Sequence, residues 1–195
     1  MRLVVLGHGY SAGFLTRLLV PQGWTVTGTT RDDPARVAAA GAQPLLWPGD
    51  EAAIRTELAR ADAILVSAGP GPEGDPALRD FAEAIAASPA RWLGYLSTTG
   101  VYGDHGGGWV DETTPLTPST RRGHERVAAE AAWQRLAADH GLPLHIFRLA
   151  GIYGPGRGPF EKLRSGTARR IVKPGQVFSR IHAEDIAQVL GASVA

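Results

Sequence analysis

The sequence predicts an α/β fold, in which a doubly wound parallel sheet is covered by helices on both faces. Short apolar, β-rich runs alternate with amphipathic helical runs along the chain, which is typical of such sheets. The first apolar run, residues 3–6, leads directly into a glycine-rich turn and then into an amphipathic segment. The 195 residues are enough to bury one core of this kind. We therefore expect a single compact unit.

The predicted elements follow in order along the chain. We expect strands at residues 3–6, 25–28, 44–47, 63–67, 92–97 and 144–149, and helices at residues 11–19, 34–40, 51–59, 75–87 and 119–140. The longest irregular stretches, residues 100–118 and 151–159, follow strand ends, where the ligand crevice of such a sheet is built. We place a Rossmann-type nucleotide-binding domain at residues 1–150. Residues 151–195 are expected to begin a small substrate-binding lobe within the same unit.

The composition of the chain excludes several kinds of binding site and several kinds of partner. The chain has no cysteine, which excludes disulfides, thiolate catalysis and cysteine metal sites. The net charge of +1 argues against nucleic acid or an anionic membrane as the main partner. No run is apolar and long enough to span a bilayer, and a strand begins where a signal peptide would stand. We expect a cytoplasmic protein that acts on a small molecule and holds no metal.

The turn after the first strand predicts phosphate binding. Gly7 permits a tight exit from the strand, Gly9 leaves room for a pyrophosphate beside the backbone, and Gly13 lets the helix pack close to the sheet. Tyr10 and Ser11 open that helix, whose free N–H groups and positive dipole end favour phosphates. The spacing is G-x-G-x-x-x-G rather than G-x-G-x-x-G. An ordinary strand-to-helix turn with packing glycines is therefore the alternative.

The ends of the second and fourth strands complete the predicted cofactor site. Arg31 follows the second strand, where a guanidinium pairs with the 2′-phosphate of NADP and a carboxylate favours NAD. We predict NADP rather than NAD, although Asp32 and Asp33 come next in the sequence. Small residues after the fourth strand would let the chain pass close to the adenine side of the cofactor, unless they only form a glycine-proline loop. These residues are Ser67, Ala68 and Gly69.

Three further motifs carry a resemblance to a known family. They are residues 95–103 (YLSTTGVYG), residues 148–156 (RLAGIYGPG) and residues 180–187 (RIHAEDIA). Together with the glycine turn, they resemble the extended short-chain dehydrogenases/reductases, the NAD(P)-dependent epimerases and dehydratases of nucleoside-diphosphate sugars. The resemblance covers nearly the whole chain. It implies a nicotinamide cofactor and, as substrate, a sugar nucleotide or another small carbonyl compound.

The resemblance also assigns residues to the chemistry. In the family, a Ser or Thr of the strand-five motif hydrogen-bonds the reacting substrate oxygen; Thr98 matches it, with Ser97 beside it near the cofactor. The family's Tyr-x-x-x-Lys pair exchanges the proton and holds the nicotinamide ribose, but Arg122 and Arg126 occupy those positions here. A guanidinium hardly releases its proton at neutral pH, so Arg126 is expected to bind ribose hydroxyls without acting as an acid. A solvated helix face is the alternative for both arginines.

An enzyme of this kind needs a substitute proton donor. Tyr102, His124 and Tyr153 are candidates, and Tyr102 is preferred, with an aromatic wall against the substrate as its alternative role. Two functions stay open: a reductase or epimerase with a non-standard active site, or a non-catalytic NADP(H)-binding regulatory or sensor module. By analogy with related proteins, helix 119–140 is expected to pair with its twin in a homodimer. The family continues further, so the lobe is minimal or the chain is part of a longer protein.

Overall fold

The computed structural model describes residues 1–170, 172 and 174–195, and a six-stranded parallel sheet lies at its centre. The strands are β1 (Arg2–Leu6), β2 (Thr25–Thr30), β3 (Gln43–Leu46), β4 (Ala63–Val66), β5 (Trp92–Thr98) and β6 (Leu144–Leu149). Their order is β3-β2-β1-β4-β5-β6, and every neighbouring pair is parallel. This is the Rossmann order, and it confirms the predicted fold class. The order reverses between β1 and β4, where such sheets open a ligand crevice.

Helices surround this sheet, and a smaller sheet follows it in the chain. The helices are α1 (Tyr10–Leu19), α2 (Pro34–Ala39), α3 (Glu51–Leu58), α4 (Pro76–Ala86), α5 (Arg121–His140), α6 (Pro159–Arg164) and α7 (Ala183–Val194). Two short 3-10 helices cover Val20–Gln22 and Thr99–Val101. In the small sheet, β7 (Gly151–Tyr153) runs parallel to β8 (Arg180–His182). No helix within the described residues is long and apolar enough to cross a membrane.

The central strands are buried on both faces because they are apolar at almost every position. In β1, Leu3 and Val5 belong to one core cluster, while Val4 and Leu6 belong to the cluster on the other face. Helices α1, α2 and α7 contribute to the first cluster, and α3, α4 and α5 contribute to the second. Leu190 of α7 is fully buried in the first cluster. Helix α7 therefore packs on the six-stranded sheet, and the domain boundary at residue 150 stays a prediction.

The observed elements differ from the predicted ones mainly at their ends. Strand β2 continues two residues beyond the predicted end, because Thr29 and Thr30 pair with Leu45 and Leu46 of β3. This extension carries buried threonines to the edge of the crevice. Helix α5 begins only after Thr120, whose Oγ1 caps it by accepting a hydrogen bond from an N–H group in the first turn. The sequence did not indicate β7, β8 or α6.

Candidate functional site

The larger of two adjoining cavities, about 510 Å³, opens at the carboxyl ends of β1, β2 and β4. It brings together most of the residues that were predicted to hold the cofactor. Those residues are Gly7, Gly9, Arg31, Ser67, Ala68 and Gly69. The strand ends converge here because the sheet order places β2 and β4 on either side of β1. This position is the switch point at which doubly wound sheets bind their ligands.

The glycine turn has the backbone geometry of a phosphate cradle. Gly7 has a φ of 87°, and a Cβ there would lie 2.6 Å from the backbone nitrogen of Ala68. A Cβ at Gly9 would meet one atom within 4 Å, the Gly7 carbonyl oxygen at 3.9 Å, so that side of the turn is open. Tyr10 and Ser11 begin α1, and no side chain in the described part of the chain caps its first turn. Its N–H groups and its positive dipole end therefore face the crevice without a competing side chain.

His8 lies between the two turn glycines with its ring buried under the turn, only 2% exposed. Its Nε2 is 2.8 Å from Thr16 Oγ1, and the Thr16 hydroxyl donates to the Ala12 carbonyl oxygen. Thr16 therefore accepts from His8 Nε2–H, which leaves Nδ1 buried with no partner among the described residues. Burial lowers the pKa of His8 to about 4. A Cβ at Gly28 would lie 2.6 Å from the ring, so the glycine in β2 makes room for His8.

A second arginine joins Arg31 at the end of β2. Arg36 of α2 also lines the larger cavity, and its Nη1 donates to the His8 carbonyl oxygen at 2.8 Å. Asp33 caps α2 by accepting from the Arg36 backbone N–H at 2.9 Å, and its carboxylate lies 3.5 Å from Arg36 Nε. Asp33 is therefore engaged within the protein, whereas Asp32 lines the cavity. Sequence reasoning missed Arg36, because only the folded helix brings it back to the turn.

A smaller cavity of about 250 Å³ adjoins the larger one, since Gly9 and Ser67 line both. It extends toward the carboxyl ends of β5 and β6. Four further predicted cofactor residues lie in its wall, together with Leu96, Leu149, Ile152 and Arg157. These predicted residues are Tyr10, Ser11, Ser97 and Arg126. Gly13 lies instead in the buried part of α1, where a Cβ would come no closer than 3.6 Å to a neighbour, the Arg17 side chain, so the packing of this helix does not require a glycine here.

Arg126 reaches the smaller cavity from α5 and is held there by uncharged groups. Its Nη1 donates to the Leu96 carbonyl oxygen at 2.6 Å and to the Tyr95 phenol at 3.1 Å. Burial raises the pKa of Tyr95, so this phenol stays neutral. Asp75, which caps α4, lies close enough to Tyr95 to raise the pKa of that phenol further. Arg122, one turn earlier on α5, is exposed.

A buried polar network crosses from β5 to β6 beside this cavity. Ser97 Oγ donates to Glu130 Oε1 at 2.5 Å, and Arg148 Nη2 donates to Glu130 Oε2 at 2.9 Å. The Glu130 side chain is 2% exposed, and pairing with it raises the pKa of Arg148. Arg148 Nη1 also donates to the Tyr102 phenol at 2.9 Å. The network joins α5, both strands and the loop after β5, and sequence reasoning had assigned no role to Glu130 or Arg148.

The two predicted catalytic residues are Thr98, the last residue of β5, and Tyr102, which follows the 3-10 helix after that strand. Thr98 is half-buried, and its Oγ1 accepts from the Gly100 N–H at 3.1 Å, which leaves the hydroxyl proton available. Tyr102 is 6% exposed, and neither Tyr102 nor Thr98 lines either of the two cavities. His124 is exposed on α5, and the Tyr153 ring packs against His182 at 5.0 Å between centroids.

Possible metal ligands do not converge in the part of the chain that the structure describes. No group of three or more His, Asp or Glu side chains there could hold a metal ion. His182 caps α7 instead, since its Nδ1 accepts from the Glu184 N–H at 3.3 Å. Asp185 is exposed in the first turn of α7, where a carboxylate favours the helix dipole.

Two similar proteins match most of this chain. A protein of Silicibacter pomeroyi, described as a functionally unknown conserved protein, is 57% identical over 99% of this chain and 67% of its own length, with a TM-score of 0.91. Protein YeeZ of Escherichia coli K12 is 32% identical in an alignment of 184 positions that covers 86% of this chain. The chain spans 64% of the length of that relative.

A more distant structure shares the fold. The UDP-glucuronic acid 4-epimerase of Bacillus cereus, solved with UDP-glucuronic acid and NAD, is 17% identical over all of this chain and 73% of its own, with a TM-score of 0.83. Residues 77–190, more than half of the chain, match the model of one family. That segment includes Ser97, Thr98, Arg126 and Glu130. With this match added to the Rossmann order and to the glycine cradle, the chain belongs to the NAD-dependent epimerase/dehydratase family.

Proposed function

We propose that this chain binds a nicotinamide dinucleotide, NADP(H) in preference to NAD(H), and supports hydride transfer on a sugar nucleotide or another small carbonyl compound. The observation that carries the proposal is the larger cavity, in which an uncapped helix N-terminus and the open side of Gly9 face the carboxyl ends of β2 and β4. Backbone N–H groups of α1 would hold the pyrophosphate there. The cofactor supplies the hydride chemistry when bound.

The preference for NADP(H) rests on two guanidiniums at the end of β2. Arg31 is exposed at the cavity wall, and Arg36 stands beside it with Nη1 fixed on the His8 carbonyl oxygen. A 2′-phosphate would gain charge-assisted hydrogen bonds from both side chains. The carboxylate that would instead accept the ribose hydroxyls of NAD is Asp32.

The reacting end of the site is assigned to β5 and α5. Thr98 would donate its free hydroxyl proton to the reacting oxygen. Arg126 would donate to the nicotinamide ribose and keep positive charge beside it, in the position of the family's lysine. Tyr102 is the proposed proton donor: its phenol accepts from Arg148, so its own proton is free to leave. Its burial means that the loop after β5 must open for that transfer.

A non-catalytic NADP(H)-binding module is the second candidate. The smaller cavity favours it, because Tyr10 is the tyrosine in its wall and donates its phenol proton to the Pro155 carbonyl oxygen at 2.9 Å. Neither Arg126 nor Arg157, the two charged residues there, releases a proton at neutral pH. A regulator needs the dinucleotide site but no acid. Pairing of α5 with a second copy, as a homodimer, is proposed for either function.

Calorimetric titration with NADPH and with NADH, at one salt concentration, tests the shared part of both functions. Tighter binding of NADPH supports the cradle and the two guanidiniums. Failure of both dinucleotides to bind overturns the proposal.

Substitution of Thr98 by Ala then separates the two functions. An enzyme loses NADPH-dependent turnover of a carbonyl substrate and keeps its affinity for the cofactor. A binding module shows no turnover in the parent chain and the same affinity in both chains. Loss of cofactor affinity in Thr98→Ala contradicts the assigned role of the hydroxyl.

A further inference from the structure

Ser97 stands in the wall of the smaller cavity, and a buried carboxylate holds its hydroxyl proton. Its Oγ donates to Glu130 Oε1 at 2.5 Å, a length typical of a charge-assisted bond between a hydroxyl and a carboxylate. Its side chain makes no other hydrogen bond within the described residues. A hydroxyl has one proton and two lone pairs, so Ser97 can offer a ligand only its lone pairs.

The Glu130 carboxylate is in turn fixed by Arg148. Arg148 Nη2 donates to Oε2 at 2.9 Å, and Arg148 Nε lies 3.2 Å from Oε2 and 3.3 Å from Oε1. The Glu130 side chain is 2% exposed, so bulk water does not compete for either oxygen. Since a guanidinium only donates and a carboxylate only accepts, the direction of every hydrogen bond from Arg148 through Glu130 to Ser97 is determined.

Arg126 has the opposite hydrogen-bonding character in the same wall. Arg126 and Glu130 are one turn apart on α5. Their partners on β5, Tyr95 and Ser97, are two residues apart and so lie on one face of the strand. Arg126 can only donate to a ligand and Ser97 can only accept from one, and a hydroxyl satisfies both because it accepts and donates. A diphosphate or carboxylate oxygen has no proton for Ser97 at neutral pH, so the oxyanions of the cofactor do not fit at this serine.

We propose that Glu130 is a positioning residue, which locks Ser97 as a hydrogen-bond acceptor and so makes the β5 end of the smaller cavity specific for a ligand hydroxyl. This inference rests on the proposed function, because it needs a ligand in this cavity. Two groups carry such a hydroxyl, the nicotinamide ribose of the cofactor and the sugar of the substrate. They present the same chemistry to Ser97, and separate titrations distinguish them.

Glu130→Gln should reverse the polarity of Ser97 without removing its hydroxyl. Arg148 has no acceptor atom, so the carbonyl oxygen of the new amide must take its N–H groups, and the amide nitrogen then faces Ser97. Ser97 accepts from that nitrogen, and its own proton turns to the cavity. A ligand hydroxyl that donates to Ser97 in the parent chain loses this bond, although no atom in the cavity wall has been removed.

Calorimetric titrations compare Ser97→Ala, Glu130→Gln and the double variant with the parent chain. NADPH is titrated into each chain, and UDP-glucose is titrated into each chain saturated with NADPH. We expect Ser97→Ala to weaken one of these ligands about threefold to tenfold, and Glu130→Gln to weaken it at least as much. Adding Glu130→Gln to Ser97→Ala should change that affinity by less than about twofold. Glu125→Gln, on the same helix but outside both cavities, is the matched control and should change neither affinity.

Adenosine 2′,5′-bisphosphate shows whether the effect is local. It has the adenosine and the 2′-phosphate of NADPH but no nicotinamide ribose, so it does not extend to β5. Its affinity should be the same in every chain. If Ser97→Ala or Glu130→Gln weakens this ligand as much as NADPH, the variant has disturbed the whole site and the inference is overturned.

The remaining outcomes identify the hydroxyl or overturn the inference. Weaker NADPH binding in Ser97→Ala identifies the nicotinamide ribose, and weaker UDP-glucose binding alone identifies the substrate sugar. If Ser97→Ala weakens neither ligand, the inference is overturned, and this result is available even where Glu130→Gln does not fold. If Glu130→Gln weakens binding equally with and without the Ser97 hydroxyl, Glu130 is purely structural and the inference is also overturned. If neither NADPH nor NADH binds the parent chain, the proposed function fails and this inference fails with it.

Discussion

Arg148 and Arg126 lie near the carboxyl end of β5, but their surroundings differ. Arg148 faces the buried carboxylate of Glu130 and is 16% exposed, whereas the partners of Arg126 among the described residues are a phenol and a carbonyl oxygen. The first arginine lies outside the walls of both cavities, and the second lines the smaller one. A charge neutralised inside the protein holds elements together. A charge left without a carboxylate at a cavity is available to a ligand, and the same residue type therefore has two roles here.

The largest expected effect comes from removing the paired arginine. Arg148→Met leaves Glu130 buried and without its counter-charge, which costs about 3–5 kcal/mol in comparable pairs. We expect a loss of that size in the free energy of unfolding, measured by urea denaturation at pH 7. Arg121→Met is the matched control, because Arg121 is 74% exposed and its pair with Glu125 is worth about 0.5 kcal/mol or less.

A double substitution shows whether that loss comes from the unpaired charge of Glu130. Glu130→Met together with Arg148→Met removes both charges, and the chain should regain part of the stability that Arg148→Met alone loses. A double variant as unstable as the sum of the two single variants would show that the carboxylate and the guanidinium do not stabilise each other. The assigned role of the network would then be wrong.

His8 extends the comparison to a buried side chain whose Nδ1 has no hydrogen-bond partner among the described residues. Its pKa in the folded chain is about 4 against an ordinary 6.5, so only the unfolded chain takes up this proton between those values. The free energy of unfolding therefore does not depend on this group above pH 6.5, and it decreases as the pH falls from 6.5 toward 4. The decrease amounts to about 3 kcal/mol across that window.

Urea denaturation between pH 7 and pH 4.5 measures this contribution. His8→Gln should show a shallower loss of stability with falling pH than the parent chain, because the amide does not titrate. Equal slopes in the parent and His8→Gln would contradict the buried, neutral imidazole.

The fold and the cofactor turn were predictable because their signals are local. The alternation of β-rich and helical runs along the sequence predicted the order of the strands and helices. The spacing of Gly7 and Gly9 after the first strand predicted where the crevice opens. The position of Arg126 at the smaller cavity was also predictable, because the family resemblance aligns this residue of α5 with the lysine of the motif. The position of Arg157 was not, since it depends on Tyr10, which is 147 residues earlier in the chain, and on the pairing of β7 with β8.

The sequence motifs did not indicate which side chains are buried in the folded chain. Tyr102 stands beside Thr98 in the sequence motif, but packing turns its phenol to Arg148 rather than into either cavity. Glu130 and Arg148 are 18 residues apart, and only the packing of α5 against β6 brings them together. Tyr102 as proton donor therefore stays a prediction, for which Tyr102→Phe is the direct test.

Removing the arginine without a carboxylate should affect binding more than folding. Arg126→Met leaves only neutral acceptors behind, so we expect the free energy of unfolding to change by about 1 kcal/mol or less. The affinity for NADPH should fall by about 2 kcal/mol, roughly thirtyfold, through the loss of charge-assisted bonds to the ribose. Arg122→Met, one turn away and exposed, should change neither quantity. A large loss of stability with unchanged NADPH affinity would show that Arg126, like Arg148, stabilises the fold and does not bind the cofactor.

The smallest expected effect is a change in the selectivity for NADPH over NADH, at the end of β2. Arg31 is exposed and makes no ion pair within 4.0 Å in the described part of the chain, so Arg31→Gln should leave stability unchanged. Calorimetry should show NADPH binding weakened by about tenfold, or about 1.4 kcal/mol, and NADH binding unchanged, because only NADPH carries the 2′-phosphate. Arg91→Gln, which lies just before β5 at the amino ends of the strands, should affect neither dinucleotide. Equal weakening of both dinucleotides would assign Arg31 to their shared phosphates and leave Arg36 as the group that selects NADPH.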